Sequence, residues 1–243
     1  MTPPMTSTPV DRDDSSQLWS SWPLRGRELM ELALAYMTLV TMGLAAGWTL
    51  LGPLSDTPLA RFDVKLVSWF ATVRTSSLDF WSDVGSAFSD TINVIILLTI
   101  LVVAMTWYWR RWRESLTLGL GVGLEALVFV VVSLVLGRDR PPVTQLDPSP
   151  PTASFPSGHV GAAFALYVGL ALIVFWNTES RLWRTLAVTL AAVVPLAVAL
   201  SRMYRGMHFL TDVIGGAMLG LLCLVTAALV VRRGVARRWG GGS

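Results

Sequence analysis

The chain of 243 residues has two histidines, one cysteine and one lysine, and only 14% of its residues are charged. Each scarcity excludes something. The lone cysteine, Cys223, cannot form an internal disulfide. It lies inside an apolar run and says nothing about redox compartment. Soluble domains are about a quarter charged, so the low charge argues against one. The formal net charge is only +3, and no nucleic-acid partner is expected. Lys65 is the only lysine, so cationic chemistry falls to arginine, and no mechanism follows from that alone. No carboxylate cluster of metal-ligand type is visible, so neither a metal nor a cofactor is expected. The two histidines are not scattered. His159 closes the stretch Ser154-Phe155-Pro156-Ser157-Gly158-His159, and His208 lies between Ser201-Arg202 and Asp212.

What the chain has in abundance is apolar length. It is 53% hydrophobic, with a mean hydropathy of +0.58. A bilayer core needs roughly 20 apolar residues in a helix. Six runs qualify or nearly so, at about 29–51, 91–109, 115–136, 159–177, 185–201 and 212–231. The fold class is therefore all-α: a polytopic membrane protein with six transmembrane helices. Residues 1–22 are rich in Thr, Ser, Pro and Asp and read as a disordered cytoplasmic tail. No cleavable signal peptide is expected, because the first apolar run follows Arg25 and Arg27 and is long enough to stay in the membrane. Residues 23–233 form the membrane domain, and 234–243 a flexible tail.

Loop charges orient the spans. Arg25 and Arg27, then Arg110, Arg111 and Arg113, then Arg181 and Arg184, and finally Arg232, Arg233, Arg237 and Arg238 all fall on one side. That side should be cytoplasmic, with both termini, and the histidine stretches face outward. Trp107, Trp109, Trp112, Trp176 and Trp183 sit near the inner boundary, as an aromatic belt requires. Between the first two spans, segment 55–90 is long. Leu59, Phe62, Leu66, Trp69, Phe70 and Val73 recur at helical steps, with Arg61, Asp63, Lys65 and Arg74 between them. This predicts an amphipathic helix along the outer interface. Phe80, Trp81, Val84 and Phe88 predict a second short one. Both read as packing elements on the outer face or as a lid for a lipid. Glu125 lies mid-span in the third run, and reads either as a functional carboxyl or as a protonated one bonded to a neighbouring helix.

The chemistry is carried by three short segments. Arg138-Asp139-Arg140-Pro141-Pro142 follows the third span, and a Pro-rich stretch leads from it to Ser157-Gly158-His159. Pro156 and Gly158 predict a tight turn, and the fourth span starts at once afterwards. Backbone N–H groups at a helix start are unpaired and sit at the positive end of the dipole, which makes an anion site. Ser157 can add a hydroxyl and His159 an imidazole. Arg202 closes the fifth span. His208 and Asp212 are four apart, so a sixth span beginning near 208 would place them on one face, about 5–6 Å apart at Cβ. Asp212 would then take the Nδ1 proton of His208 and leave Nε2 free as a base or nucleophile. Asp139 and Asp147 read as loop-turn residues.

This arrangement resembles the type-2 phosphatidic acid phosphatases, or lipid phosphate phosphatases, kin to the vanadium haloperoxidases. Their pattern is Lys, six residues, Arg-Pro; then Pro-Ser-Gly-His; then Ser-Arg, five residues, His, three residues, Asp. Here stand Arg140-Pro141, Pro156-Ser157-Gly158-His159, and Ser201-Arg202 with His208 and Asp212 at both spacings. The resemblance covers roughly 55–231, and the two later motifs together are highly specific. It implies that His208 attacks phosphorus, that Asp212 orients it, and that His159 protonates the leaving oxygen and then activates water. Arg140, Arg202, Ser157 and the Gly158 N–H would hold the phosphoryl oxygens. One position departs: the family's lysine falls at Ser133. A charge-assisted hydrogen bond contributes about 1.5–3 kcal/mol. Arg138 is the nearest replacement and a further candidate phosphate ligand, with Arg205 and Lys65 as others. The implied function is hydrolysis of lipid phosphates or polyprenyl (pyro)phosphates at the outer leaflet of a plasma membrane, with a lipid phosphate as substrate and membrane lipids as surroundings. The alternatives are a phosphotransferase using the same phosphohistidine, and a non-catalytic lipid-binding or transport protein.

Overall fold

The computed structural model describes residues 22–148 and 151–239. The expected N-terminal tail, apart from Trp22, lies outside the described residues, as do 240–243. Eight helices are present among the described residues, with no strand. They are α1 (Gly26–Leu51), α2 (Pro58–Thr72), α3 (Ser76–Ala87), α4 (Thr91–Trp109), α5 (Arg113–Leu136), α6 (Gly158–Asn177), α7 (Arg181–Tyr204) and α8 (Leu210–Trp239). All but α2 and α3 are long and apolar enough to cross a membrane. These six coincide with the expected spans, and α2 and α3 with the two short helices expected between the first and second.

The boundaries differ in ways that have causes. α7 extends past 201 to Tyr204, so Ser201 and Arg202 lie within its last turn rather than after it. α8 begins at Leu210, so His208 precedes the helix instead of riding on it. The start is set by Asp212, whose carboxylate accepts the Phe209 N–H at 2.8 Å, the back-bond of a capping box. At its other end α8 continues through 234–239, read from sequence as tail. Arg237 holds it there through ion pairs with Glu28 at 2.5 Å and Glu31 at 3.3 Å on α1.

Leu118, Val128 and Val132 of α5, Val160 and Leu166 of α6, Val198 of α7 and Cys223 of α8 are all fully buried. Outward faces carry Ile92, Ile100, Trp107, Leu134 and Trp183, each more than half exposed. An apolar exterior of this kind suits a hydrocarbon solvent. α6 contains one π-helical stretch, Phe164–Val168. The contact between α6 and α8 is backbone against backbone. A Cβ on Gly216 would come within 2.3 Å of the Ser157 carbonyl oxygen, and one on Gly220 within 2.2 Å of the Gly161 carbonyl oxygen. Small residues thus press the start of α6 onto α8.

α2 has the amphipathic pattern expected of it. Leu59, Phe62 and Trp69 are exposed, whereas Asp63 and Val67 are buried. Asp63 is one of the polar residues between the apolar ones of that pattern. It turns inward because it meets donors there: the Thr211 N–H at 3.2 Å and the Thr211 hydroxyl at 2.5 Å.

Candidate active site

Three chain segments meet at one end of the bundle. Their assembly depends on backbone bonds across long sequence separations. Ser154 N–H donates to the Arg138 carbonyl at 2.8 Å, Leu146 N–H to the Arg205 carbonyl at 3.0 Å, and Ser157 N–H to the Asp212 carbonyl at 3.0 Å. The chain leaves α7 through Gly206 at φ +74°, a left-handed turn in which a Cβ would strike Val143 at 2.8 Å. Met207 N–H then returns to the Arg202 carbonyl at 3.0 Å, and His208 is delivered beside Ser154.

His208 is almost fully buried. Its Nδ1 lies 2.7 Å from the Ser154 carbonyl oxygen. A carbonyl only accepts, so Nδ1 carries the proton and Nε2 keeps its lone pair. The expected Asp212 contact is displaced: the nearest carboxylate oxygen is 3.9 Å from Nδ1. Because His208 stands outside α8, the helical i, i+4 geometry does not apply to the pair. Asp212 instead accepts from Arg138, from the Ser154 hydroxyl and from Phe209 N–H. It holds the segment that holds the imidazole. Burial keeps His208 well below the usual histidine range, and the Arg202 and Arg140 charges push the same way. The Ser154 carbonyl and the charge of His159 act on it too, the first opposing and the second adding to the effect.

Both arginines expected to hold phosphate, Arg140 and Arg202, are tied down by their terminal nitrogens. Arg140 donates to the Met207 carbonyl at 2.8 Å and the Thr152 carbonyl at 3.2 Å. Arg202 donates to Asp147 at 2.7 Å and to the Ser86 hydroxyl at 2.9 Å. Among the described residues the Nε of each is buried without a partner, and so is the Ser157 hydroxyl. Burial and the neighbouring Arg202 charge pull Arg140 down from its ordinary value, with Asp212 opposing. Gly158 opens α6 right after Ser157, and a Cβ there would come within 2.9 Å of the Phe129 ring. The first N–H groups of that helix have no carbonyl one turn back.

His159 stands in the first turn of α6, and its Nε2 lies 3.1 Å from Asp90 at the start of α4. Arg138, the candidate replacement for the family lysine, is otherwise engaged. It pairs with Asp212 and, at 3.5 Å, with Asp63, and donates to the Thr211 hydroxyl at 2.9 Å. Its position is set by two carboxylates, so it braces the site instead of lining it. Arg205 is taken up by Asp147 and by Asp83 at 3.2 Å. Lys65 is exposed on α2. Ser133 is buried and donates to the Val130 carbonyl on its own helix at 3.2 Å. Asp139 contributes no contact to this cluster. Glu125 is buried against Gly161, with one carboxyl oxygen lacking a partner.

Four participants lie outside the site expected from sequence, and Asp147, which reads there as a loop-turn residue, is one of them. Asp147 joins Arg202 and Arg205; burial pushes its carboxyl up, but the Arg205 hydrogen bond and the Arg202 charge hold it below the usual range. Asp63 had a legible signal, since Asp63, Val67, Phe70 and Arg74 form a stripe at steps of four, three and four. Thr211 and Asp90 had none.

A family model described as "PAP2 superfamily" matches residues 114–235, half of the chain and every motif position from Arg140 to Asp212. "Phosphatidylglycerophosphatase B" of Bacillus subtilis (strain 168) is 32% identical over 131 residues, which span 54% of this chain and 64% of that protein, just under two thirds of its length. "Bacitracin transport permease protein BcrC" of Bacillus licheniformis is 26% identical over 173 residues, 63% of this chain and 78% of that protein. Among solved structures, a transmembrane PAP2-type phosphatidylglycerolphosphate phosphatase from Bacillus subtilis superposes with a TM-score of 0.65 at 23% identity, over 82% of this chain and 94% of that one. That likeness is one of fold. The motif segments, the six spans and the shared architecture agree, and the chain is an integral, multi-pass membrane protein of the PAP2 superfamily.

Proposed function

We propose that the protein is a phosphatase acting on lipid phosphates or polyprenyl (pyro)phosphates through a phosphohistidine on His208. The observation that carries this reading is the convergence at this end of three buried donors without partners among the described residues, Arg140 Nε, Arg202 Nε and Ser157 Oγ. A buried donor left unsatisfied costs about 1–3 kcal/mol, so three in one cluster are explained by an anion that accepts from them. A phosphoryl group has three equatorial oxygens, and its transfer asks the protein mainly for positioning and for cations at those oxygens.

In this reading the His208 Nε2 lone pair attacks phosphorus as the bond to the leaving oxygen breaks. His159 gives that oxygen a proton. The neutral His159 then takes a proton from water, the water oxygen attacks the phosphohistidine, the P–N bond breaks, and phosphate departs. Arg140, Arg202, Ser157 and the Gly158 N–H hold the charge throughout, with no role assigned to a metal. Asp212 acts on His208 through Ser154 and Phe209. The phosphatase relatives support the reaction class, and the arginine-rich loops at the opposite end support a site on the outer face.

The test is phosphate release by the purified protein in EDTA, across phosphatidic acid, phosphatidylglycerol phosphate and polyprenyl (pyro)phosphates. Release from at least one is expected, with inhibition by vanadate. His208→Ala and His159→Ala should each lower it by about 10²- to 10⁴-fold. Full activity in either variant would sink the mechanism. Adding an alcohol acceptor and analysing products separates hydrolysis from phosphotransfer.

A further inference from the structure

Asp90 is the residue before α4, and an aspartate there ordinarily accepts an N–H from the first turn of the helix. This one makes no side-chain cap bond. Its carboxylate reaches across to α6 instead, 3.1 Å from His159 Nε2. The segment around it is fastened to the same helix on either side. Ser89 donates to the His159 carbonyl at 2.5 Å, and Tyr167 donates to the Phe88 carbonyl at 2.9 Å. With Nε2 on Asp90, Nδ1 is the nitrogen of His159 that makes no hydrogen bond among the described residues. The charged groups facing this imidazole are Asp90 just ahead of α4, Arg202 from α7 and Asp147 from the loop, with the neutral His208 ring as the other titratable neighbour.

The geometry points to Asp90 as the positioning residue of His159: its carboxylate fixes the ring with Nε2–H toward α4, so that Nδ1, bare in the neutral ring, is the nitrogen that carries the proton to the leaving oxygen once the ring is protonated. This rests on the phosphatase reading. In the first step the Nδ1–H bond of the imidazolium breaks as the proton passes to the leaving oxygen, and the P–O bond electrons go to that oxygen. Asp90 stays ionised throughout, as an orienting carboxylate does in hydrolytic triads. It is half-exposed, so replacing it leaves no buried cavity. Asp90 lies outside the 114–235 family match. Its role comes from the contact alone.

The readout is the dependence of kcat/KM on leaving-group basicity, over a series running from para-nitrophenyl phosphate to alkyl phosphates. A purely structural role lowers every substrate alike. A role through the general acid spares good leaving groups, which need no proton. Asp90→Asn should lower kcat/KM about ten- to hundredfold for alkyl phosphates and only a few-fold for para-nitrophenyl phosphate. Asp90→Glu should restore part of the loss. Equal losses across the series, or none, overturn the assignment. A wild-type protein that releases phosphate neither from this series nor from the lipid phosphates overturns the phosphatase reading itself, and this one with it. Nitrogen-15 NMR of labelled histidine supplies a readout independent of turnover. His159 should be the Nε2–H tautomer in wild type and lose that preference in Asp90→Asn; an unchanged tautomer counts against Asp90.

Discussion

A histidine that gives its Nδ1 proton to a backbone carbonyl has its tautomer fixed without a counter-charge. That is the state of His208 beside Ser154. A neighbouring carboxylate would favour the imidazolium, whereas burial and the nearby cations favour the neutral ring. The sign is clear: with its folded value lowered, the ring stays uncharged as pH falls through about 6.5, the ordinary histidine value, and takes a proton only well below it. The chain has two histidines, so His159→Asn leaves a single imidazole signal. Nitrogen-15 NMR of that variant should show a neutral Nδ1–H ring at pH 6; an imidazolium there would refute the burial argument. Arg138 teaches the complementary lesson. It stands two residues before Arg140 and carries the right charge to replace a lysine, yet Asp63 and Asp212 claim it. Arg140, by contrast, lends its outer nitrogens to carbonyls and keeps Nε free. Which arginine meets substrate is decided by what each is already bonded to.

At the scale of elements, the site depends on two close fits. The first is α8 against the start of α6, where Gly216 leaves room for the Ser157 carbonyl. Gly216→Ala must push that turn aside, and a displacement of about 1 Å from productive geometry can cost about a hundredfold. Phosphate release should fall by about that factor. Gly123→Ala, where a Cβ meets nothing within 4 Å, should leave release unchanged. The second fit is α2 against α8. Asp63 is buried and accepts from Thr211 and from Arg138. Asp63→Ala strips a charged acceptor from both, and a hydrogen bond to a charged group contributes about 1.5–3 kcal/mol. A clear fall in the thermal unfolding temperature in detergent is expected. An unchanged melting temperature would show that α2 is not anchored through Asp63.

For the whole molecule, the arginine-rich ends of the spans predict that the loop at 178–180 is cytoplasmic and the loop at 52–57 is outside. Cys223 is buried and the chain has no other cysteine, so labelling background is low. A cysteine at Glu179 should react with an impermeant maleimide only after cells are opened, and one at Asp56 in intact cells; the reverse pattern would invert the topology. The spans were legible because a bilayer imposes length and apolarity on every one of them, and six runs of the chain meet both demands. The proposed site residues Arg140, Ser157, His159, Arg202 and His208 were legible as candidates because they stand in short motifs with characteristic spacing. Asp90 and Asp147 were not, and the stripe that carries Asp63 marks its face but not its partner. Each meets its partner across at least 55 residues of chain, and nothing local marks an aspartate as reaching a histidine or an arginine on another helix. The same holds for Asp212, whose spacing from His208 predicts a direct bond only if both ride on α8, which begins after the histidine. Sequence alone determined the class of protein, the six spans and the chemical inventory of the site. Only the tertiary structure decided which charge neutralises which, because a buried ionic group takes the nearest well-placed partner in space, and spacing along the chain records that only within a single helix.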